Sequence, residues 1–340
     1  MRLTSAHGIW LFSAYDGGAT TLREAERRRR RFAAIRGDVH MPEHFKRNGT
    51  PRQDGSSCHV QGISRGKSAL VLVAGVLLAA FLGLAAVQAL GGSGSTSNGS
   101  ASSATPAAAS DPRAAELALD PNAQTDWSFK NNGEKTVYLT FDDGPSKNTQ
   151  RVLDILEQYG AKATFFVVGH DPDYYDMIKK AYDDGNTIGL HSYTHDYAKV
   201  YASEDAYFDD LDQIAQVVQD QIGYVPYLVR FPGGSSNTIS EKYCSGIMDA
   251  LVNDVQARGY QYYDWNASSG DGAVCTTEQI VENSCAYDDY PNIILLCHDA
   301  ATKDTTVEAL PKIIEHYQAL GYQFKAIDRS TMVPHHKVAN

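Results

Sequence analysis

Two adjacent carboxylates, Asp142 and Asp143, stand where an alternating run of β-branched and aromatic residues ends, in TVYLTFDDGPSKNTQ. Gly144 and Pro145 account for a turn at this place, but a turn does not require both acids. Further along, HSYTH sets His191 and His195 four residues apart. On a helical turn that spacing puts both imidazoles on one face, where they can grip one metal ion. Two imidazoles and one carboxylate with open positions form a catalytic arrangement for zinc and its neighbours. Successive strand residues point in opposite directions, so one acid is expected to ligate the ion while the other stays free beside the water it activates. The cation would relieve the repulsion between the two acids. Taken singly, each piece has a plainer explanation: a turn, or a pair of surface histidines.

These residues need a scaffold. Strand-like runs recur as TVYLTFD, ATFFVVG, NTIGLHS, YLVRFPG, QYYDWNA, NIILLCHD and YQFKAID. Between them, apolar residues fall three and four apart: Val152, Ile155, Leu156 and Tyr159; Leu211, Ile214, Val218 and Ile222; Leu310, Ile313, Ile314 and Tyr317. Gly160, Gly223, Gly259 and Gly321 close four helices where a left-handed cap is wanted. Alternating strands and helices imply a parallel sheet with covering helices. About seven units over roughly 200 residues suit an α/β fold of the distorted (β/α) barrel kind, with an open doubly wound sheet as the alternative. In either architecture chemistry belongs at the carboxyl ends of the strands. The polar residues there are Asp142, Asp143, His191, His195, Arg230, Asp264, Asp271 and His298.

The flanks are of another kind. Residues 1–67 carry 13 Lys+Arg against 6 Asp+Glu, and residues 91–340 carry 17 against 35, so the net charge of −11 hides a basic head and an acidic body. Between them, residues 68–90 hold no charged side chain and are long enough for a transmembrane helix. Arg65 and Lys67 before this span, and Arg27 to Arg31 upstream, predict a cytoplasmic N-terminus and an extracellular body at the cell membrane. The basic residues 1–67 read as a disordered tail, with Met41 an alternative start, and no nucleic-acid partner is expected. Residues 91–126 read as a flexible linker, residues 127–328 as the folded domain, and residues 329–340 as a disordered tail. Of the five cysteines (58, 244, 275, 285 and 297), the last four face an oxidising compartment in this topology, with connectivity open.

The segments TFDDGP, HSYTH, RFPGG, WNASSGDG and LLCHD stand in the order and rough spacing of five motifs of the polysaccharide deacetylases. The resemblance is to the NodB-homology class, carbohydrate esterase family 4, and it covers about residues 133–328. It implies that Asp142 is the catalytic base and that Asp143, His191 and His195 are the metal ligands, zinc first with cobalt or nickel as substitutes. It further implies that Arg230 pairs with the base, and that His298 is the general acid protonating the leaving amine, oriented by Asp271. Gly233 would offer its N–H to the oxyanion, and Leu296 would line the pocket for the acetyl methyl. Two positions depart from the pattern. Gly233 stands where the family usually has Tyr, and Gly272 where it usually has Trp, so the shape of the sugar subsite is more in question than the chemistry. Trp265 is a candidate for the second gap.

The expected activity is metal-dependent removal of N-acetyl groups from amino sugars of a cell-envelope polysaccharide, peptidoglycan N-acetylglucosamine first. Chitin-like or exported glycans and O-acetyl esters are alternatives within the class. An inactive glycan-binding module and a peptidase built on His191 and His195 are alternatives outside it.

Overall fold

The computed structural model describes residues 111–122 and 133–340. Eight strands run parallel: β1 (Thr136–Asp142), β2 (Ala163–Val168), β3 (Thr187–Ser192), β4 (Leu228–Val229), β5 (Gln261–Tyr262), β6 (Ala267–Ser268), β7 (Asn292–His298) and β8 (Gln323–Phe324). They are hydrogen-bonded in the order β5-β4-β3-β2-β1-β7-β6, with β8 added to the start of β1. The long central strands are buried along their whole length, as in a sheet covered on both faces. The about seven expected strands are present, with QYYDWNA divided into β5 and β6. These two are the ends of the path, so the barrel is incompletely closed between them.

Curvature can be read from one contact. β2 and β3 separate β1 from β4, which in a flat sheet would hold the ends of β1 and β4 about 14 Å apart. Side chains stand roughly perpendicular to a sheet. Yet Arg230, just after β4, donates to Asp142 at the end of β1 at 2.8 Å. The sheet must curl until the two strand ends face each other.

The helices expected from apolar periodicity form: α2 (Lys147–Gln158), α5 (Glu204–Ile222) and α8 (Asp304–Ala319), with α3 (Asp176–Asp183), α4 (Tyr197–Val200), α6 (Ile247–Ala257) and α7 (Thr277–Ser284) completing the cover. Gly160, Gly223, Gly259 and Gly321 all adopt positive φ, the left-handed conformation that ends a helix without a Cβ clash.

Two boundary expectations are corrected. Part of the supposed linker is folded: Asp111 caps α1 (Pro112–Leu117), whose Leu117 is buried. The Arg113 guanidinium lies 4.3 Å over the Tyr182 ring and donates to the Tyr182 carbonyl. The backbone continues by bonding Leu119 to Val225. The supposed disordered tail is also placed. Asp264 N–H donates to the Pro334 carbonyl at 3.1 Å, the His335 ring stacks on Tyr262 at 3.8 Å, and the Asn340 carbonyl accepts from Asp249 N–H. These residues lack periodicity because they add hydrogen bonds and ring contacts to the open β5 edge and form no element of their own. The basic head, the apolar span 68–90 and Met41 lie outside the described residues. Among the described residues no helix is long and apolar enough to cross a membrane. Cys275, Cys285 and Cys297 are free thiols.

Candidate active site

At the carboxyl end of β1 the chain leaves the sheet abruptly. Asp142 is the last strand residue, and Asp143 takes a left-handed φ of 69°. Strand alternation predicts divergent carboxylates; the left-handed turn brings them together instead. Asp142 Oδ2 lies 4.0 Å, and Asp143 Oδ1 3.4 Å, from the same atom, His191 Nε2. His195 Nε2 lies 3.2 Å from that Asp143 oxygen. The HSYTH segment is not helical. His191 sits on β3, whereas His195 lies in the loop before α4 with a left-handed φ of 47°. Two non-glycine residues in this sparsely populated region, both at one site, mark backbone strain held by the surroundings.

Asp210 supplies much of that hold. Its buried carboxylate accepts from Ser192 Oγ, Tyr193 N–H, Thr194 N–H and Thr194 Oγ1 at 2.6–2.9 Å. Sequence reasoning does not single it out. The signal is available: an acid placed between Tyr207 and Leu211, on the apolar face of α5.

The trio fits a metal ion. Asp143 Oδ1 is buried and satisfied by no hydrogen bond, a costly state unless something else meets it. The three donor atoms lie within 4.8 Å of one another. Separations of 3.2 and 3.4 Å match the edge of a tetrahedron with about 2.05 Å bonds, which is about 3.3 Å. His191 Nδ1 donates to the Arg230 carbonyl at 2.7 Å, which turns the Nε2 lone pair toward the acid and fixes the tautomer a ligand needs. Burial by itself would raise the Asp143 pKa. In their protonated form, before an ion is bound, the His191 and His195 imidazoles more than offset it and hold this carboxyl well below the usual range.

The second acid has a different partner. Asp142 Oδ1 accepts from Arg230 Nη1 at 2.8 Å, which leaves Oδ2 facing the trio. Arg230 is wholly buried and spends its other donors on Thr140 Oγ1 and the carbonyls of Tyr263 and Asp264. Its guanidinium lies 4.2 Å over the Phe166 ring. A planar guanidinium with four of its five N–H donors bonded, one of them to a carboxylate, can be buried where a lone charge cannot.

On the other side stands a second ion pair. His298, the last residue of β7, donates from Nδ1 to Asp271 Oδ1 at 2.7 Å, and its backbone N–H donates to Asp271 Oδ2 at 2.8 Å. Thr306 Oγ1 donates to that second oxygen as well. Burial would lower the His298 pKa, but the Asp271 carboxylate, aided by Asp143 and Asp142, pushes it up to about 9. Its Nε2 therefore carries a proton at neutral pH. Burial raises and His298 lowers the Asp271 pKa, which ends below its ordinary value.

Gly233 has φ of 77° and is exposed, and its N–H makes no hydrogen bond to any described residue. Leu296 is buried on β7, two residues before His298 and so on the same face. Trp265 does not stand over Gly272, where an added Cβ would meet only the His298 ring, at 3.7 Å. It packs on Gly234 instead. Asp264 ties that loop down, accepting from Ser235 N–H at 2.9 Å and from His336 N–H at 2.8 Å. Asp264 is among the polar residues expected at the strand ends, and its part is to hold this loop. Asp299, beside His298, is a further buried acid that sequence reasoning does not place at the site. Burial pushes its carboxyl up to about 7, and it packs so closely on Gly144 that no Cβ fits there.

Residues 129–246 match the model of the polysaccharide deacetylase domain. A peptidoglycan-N-acetylglucosamine deacetylase of Bacillus cereus is 32% identical over 213 residues, covering 61% of this chain and 74% of that protein. The crystal structure of the catalytic domain of peptidoglycan N-acetylglucosamine deacetylase from Eubacterium rectale superimposes with a TM-score of 0.61 at 46% identity, covering 65% of this chain and 100% of that one. The polysaccharide deacetylase Bc1974 from Bacillus cereus superimposes with a TM-score of 0.52 at 31% identity, over 59% of this chain and 96% of that one. With the metal-ligand trio and both ion pairs at the carboxyl ends of the strands and relatives matched over most of their length, the chain belongs to the polysaccharide deacetylases of carbohydrate esterase family 4, which are hydrolytic enzymes.

Proposed function

We propose that the chain removes the N-acetyl group from amino sugars of a cell-envelope glycan, with peptidoglycan N-acetylglucosamine as the substrate. The observation that carries this reading is the flanking of one metal-ligand trio by two oppositely poised ion pairs. Asp142–Arg230 presents a carboxylate oxygen, and His298–Asp271 presents a protonated imidazole. A hydrolysis of an amide needs both a base for water and an acid for the departing amine.

Asp143, His191 and His195 would hold a divalent ion, zinc by their donor set. When bound, the ion would lower the pKa of water and polarise the acetyl carbonyl. The chain's own residues do the rest. Asp142 Oδ2 accepts the proton of the attacking water, while Arg230 holds the other oxygen and fixes the carboxylate's orientation. The Gly233 N–H donates to the oxygen on which negative charge develops. His298 Nε2 gives its proton to the sugar nitrogen as the carbon–nitrogen bond breaks, and acetate leaves. Leu296 offers an apolar wall to the acetyl methyl.

The names of the relatives in Bacillus cereus and Eubacterium rectale support the choice of glycan. So does the apolar span 68–90, read as a single-pass anchor that holds the domain outside the cell membrane. The test is acetate release by the full chain in detergent from peptidoglycan, chitin oligomers and O-acetylated xylan, with and without chelator and added zinc. Chelation should abolish release and zinc restore it. Asp142→Asn should bind zinc as tightly as the parent while releasing acetate at least about a hundredfold more slowly. Normal turnover by that variant would remove Asp142 from the mechanism. Preference for xylan esters would replace the N-acetyl reading.

A further inference from the structure

Tyr197 opens α4 immediately after its cap, Asp196. Its ring meets His195 edge-on at 5.8 Å and leans on Tyr201 at 5.5 Å. The two tyrosines differ in one respect. Tyr201 is buried and its hydroxyl donates to the Pro232 carbonyl at 2.8 Å, tying α4 to the glycine loop. The Tyr197 hydroxyl makes no hydrogen bond to any described residue, and the side chain is only half-buried. It is directed at Gly233: a Cβ built there would lie 2.5 Å from the hydroxyl oxygen. The phenol therefore occupies the volume that a side chain at 233 would take.

A residue's own N and Cβ are about 2.5 Å apart, so the Tyr197 hydroxyl oxygen lies at most about 5 Å from the Gly233 nitrogen. Two donors at that separation can both reach one acceptor oxygen at about 2.9 Å. A phenol hydroxyl can donate one hydrogen bond, and this one has no other acceptor among the described residues. We propose that Tyr197 is a further catalytic residue whose O–H donates, together with the Gly233 N–H, to the acetyl oxygen as it becomes an oxyanion. The assignment rests on the hydrolytic reading above. It requires only that the substrate have an acetyl carbonyl, not that it be a particular sugar. A hydrogen bond that strengthens as charge develops lowers the barrier without tightening ground-state binding.

Tyr197→Phe keeps both ring contacts and removes only the hydroxyl. The zinc-loaded full chain and this variant are compared on N-acetylglucosamine oligomers and on p-nitrophenyl acetate, with zinc affinity measured alongside. The expected result is a kcat lower by about 10- to 100-fold on both substrates, with KM and zinc affinity within about twofold. Unchanged kcat overturns the proposal. A loss carried by KM shows a ground-state sugar contact and overturns it also, as does a loss that tracks weakened zinc binding through a displaced His195. If the parent chain cleaves only the ester, the glycan reading fails, and the same comparison on the ester still decides the role of Tyr197. A parent inactive on both substrates with zinc bound overturns both.

Discussion

Replacing Asp271 by Asn keeps the shape of the His298 pair and removes its charge. Asp271 offers two acceptor oxygens, one to His298 Nδ1 and the other to the His298 backbone N–H and Thr306 Oγ1. Asn has one acceptor, so a protonated His298 would leave one of its two buried donors without a partner, at a cost of about 1–3 kcal/mol, whereas the neutral ring can accept from the Asn amide at Nδ1. The electrostatic effect is larger. Burial depresses the His298 pKa and the Asp271 carboxylate carries it up to about 9. Without that carboxylate it should return toward the ordinary value of 6.5. At pH 7.5 a group with a pKa near 9 is about 97% protonated, whereas one near 6.5 is about 9% protonated. Loss of the acid form alone should lower kcat about tenfold.

The same change has a stability signature. The folded pKa of His298 is raised, so its contribution is fully present below pH 6.5 and is lost as pH rises through about 9. The full span corresponds to roughly 3 kcal/mol. Parent protein should weaken over that window, and the Asp271→Asn variant should not. Two assays check this: a pH–rate profile, and titration of the His298 ring protons by NMR in chelated protein. An alkaline limb in the same place for both proteins would refute the assignment of His298 as the acid held protonated by Asp271.

Two further outcomes are expected. Arg230→Lys puts three donors on one nitrogen in place of five spread over three, so it cannot keep all four of the guanidinium's buried bonds, to Asp142, Thr140 Oγ1 and the Tyr263 and Asp264 carbonyls; a destabilisation of about 2–4 kcal/mol in urea unfolding is predicted, and less than about 1 kcal/mol would mean that lysine finds equivalent partners. A chain ending at Met332 takes the His336 N–H from Asp264 and the His335 ring from Tyr262. It should unfold with about 1–3 kcal/mol less stability, and an unchanged melting temperature would show that the C-terminal residues only rest on the β5 edge.

The strands TVYLTFD and NIILLCHD are legible in the sequence nearly residue for residue, because burial on both faces leaves a continuous apolar and β-branched run. The helices α2, α5 and α8 are legible from apolar residues three and four apart. QYYDWNA reads as one strand since its aromatic content reports burial, while the break between β5 and β6 depends on a partner strand that is absent there. Residues 111–117 and 329–340 read as irregular for a related reason. Their order comes from Arg113 against Tyr182 and from His336 against Asp264, contacts with residues far away in the chain. The metal-ligand types at Asp143, His191 and His195 are visible as residues; the helical face expected for the histidine pair is not what joins them.

By itself the sequence determined which side chains were available at the strand ends and that the strands would be parallel and covered, since these follow from local periodicity and residue chemistry. The tertiary structure decided how those side chains face each other. A left-handed turn at Asp143 converges two carboxylates that alternation would have parted, the curl of the sheet carries Arg230 to Asp142, and Tyr197 stands over Gly233. Each is a meeting of residues far apart in the chain or a backbone angle imposed by such meetings, and no pattern within a short window of sequence encodes it.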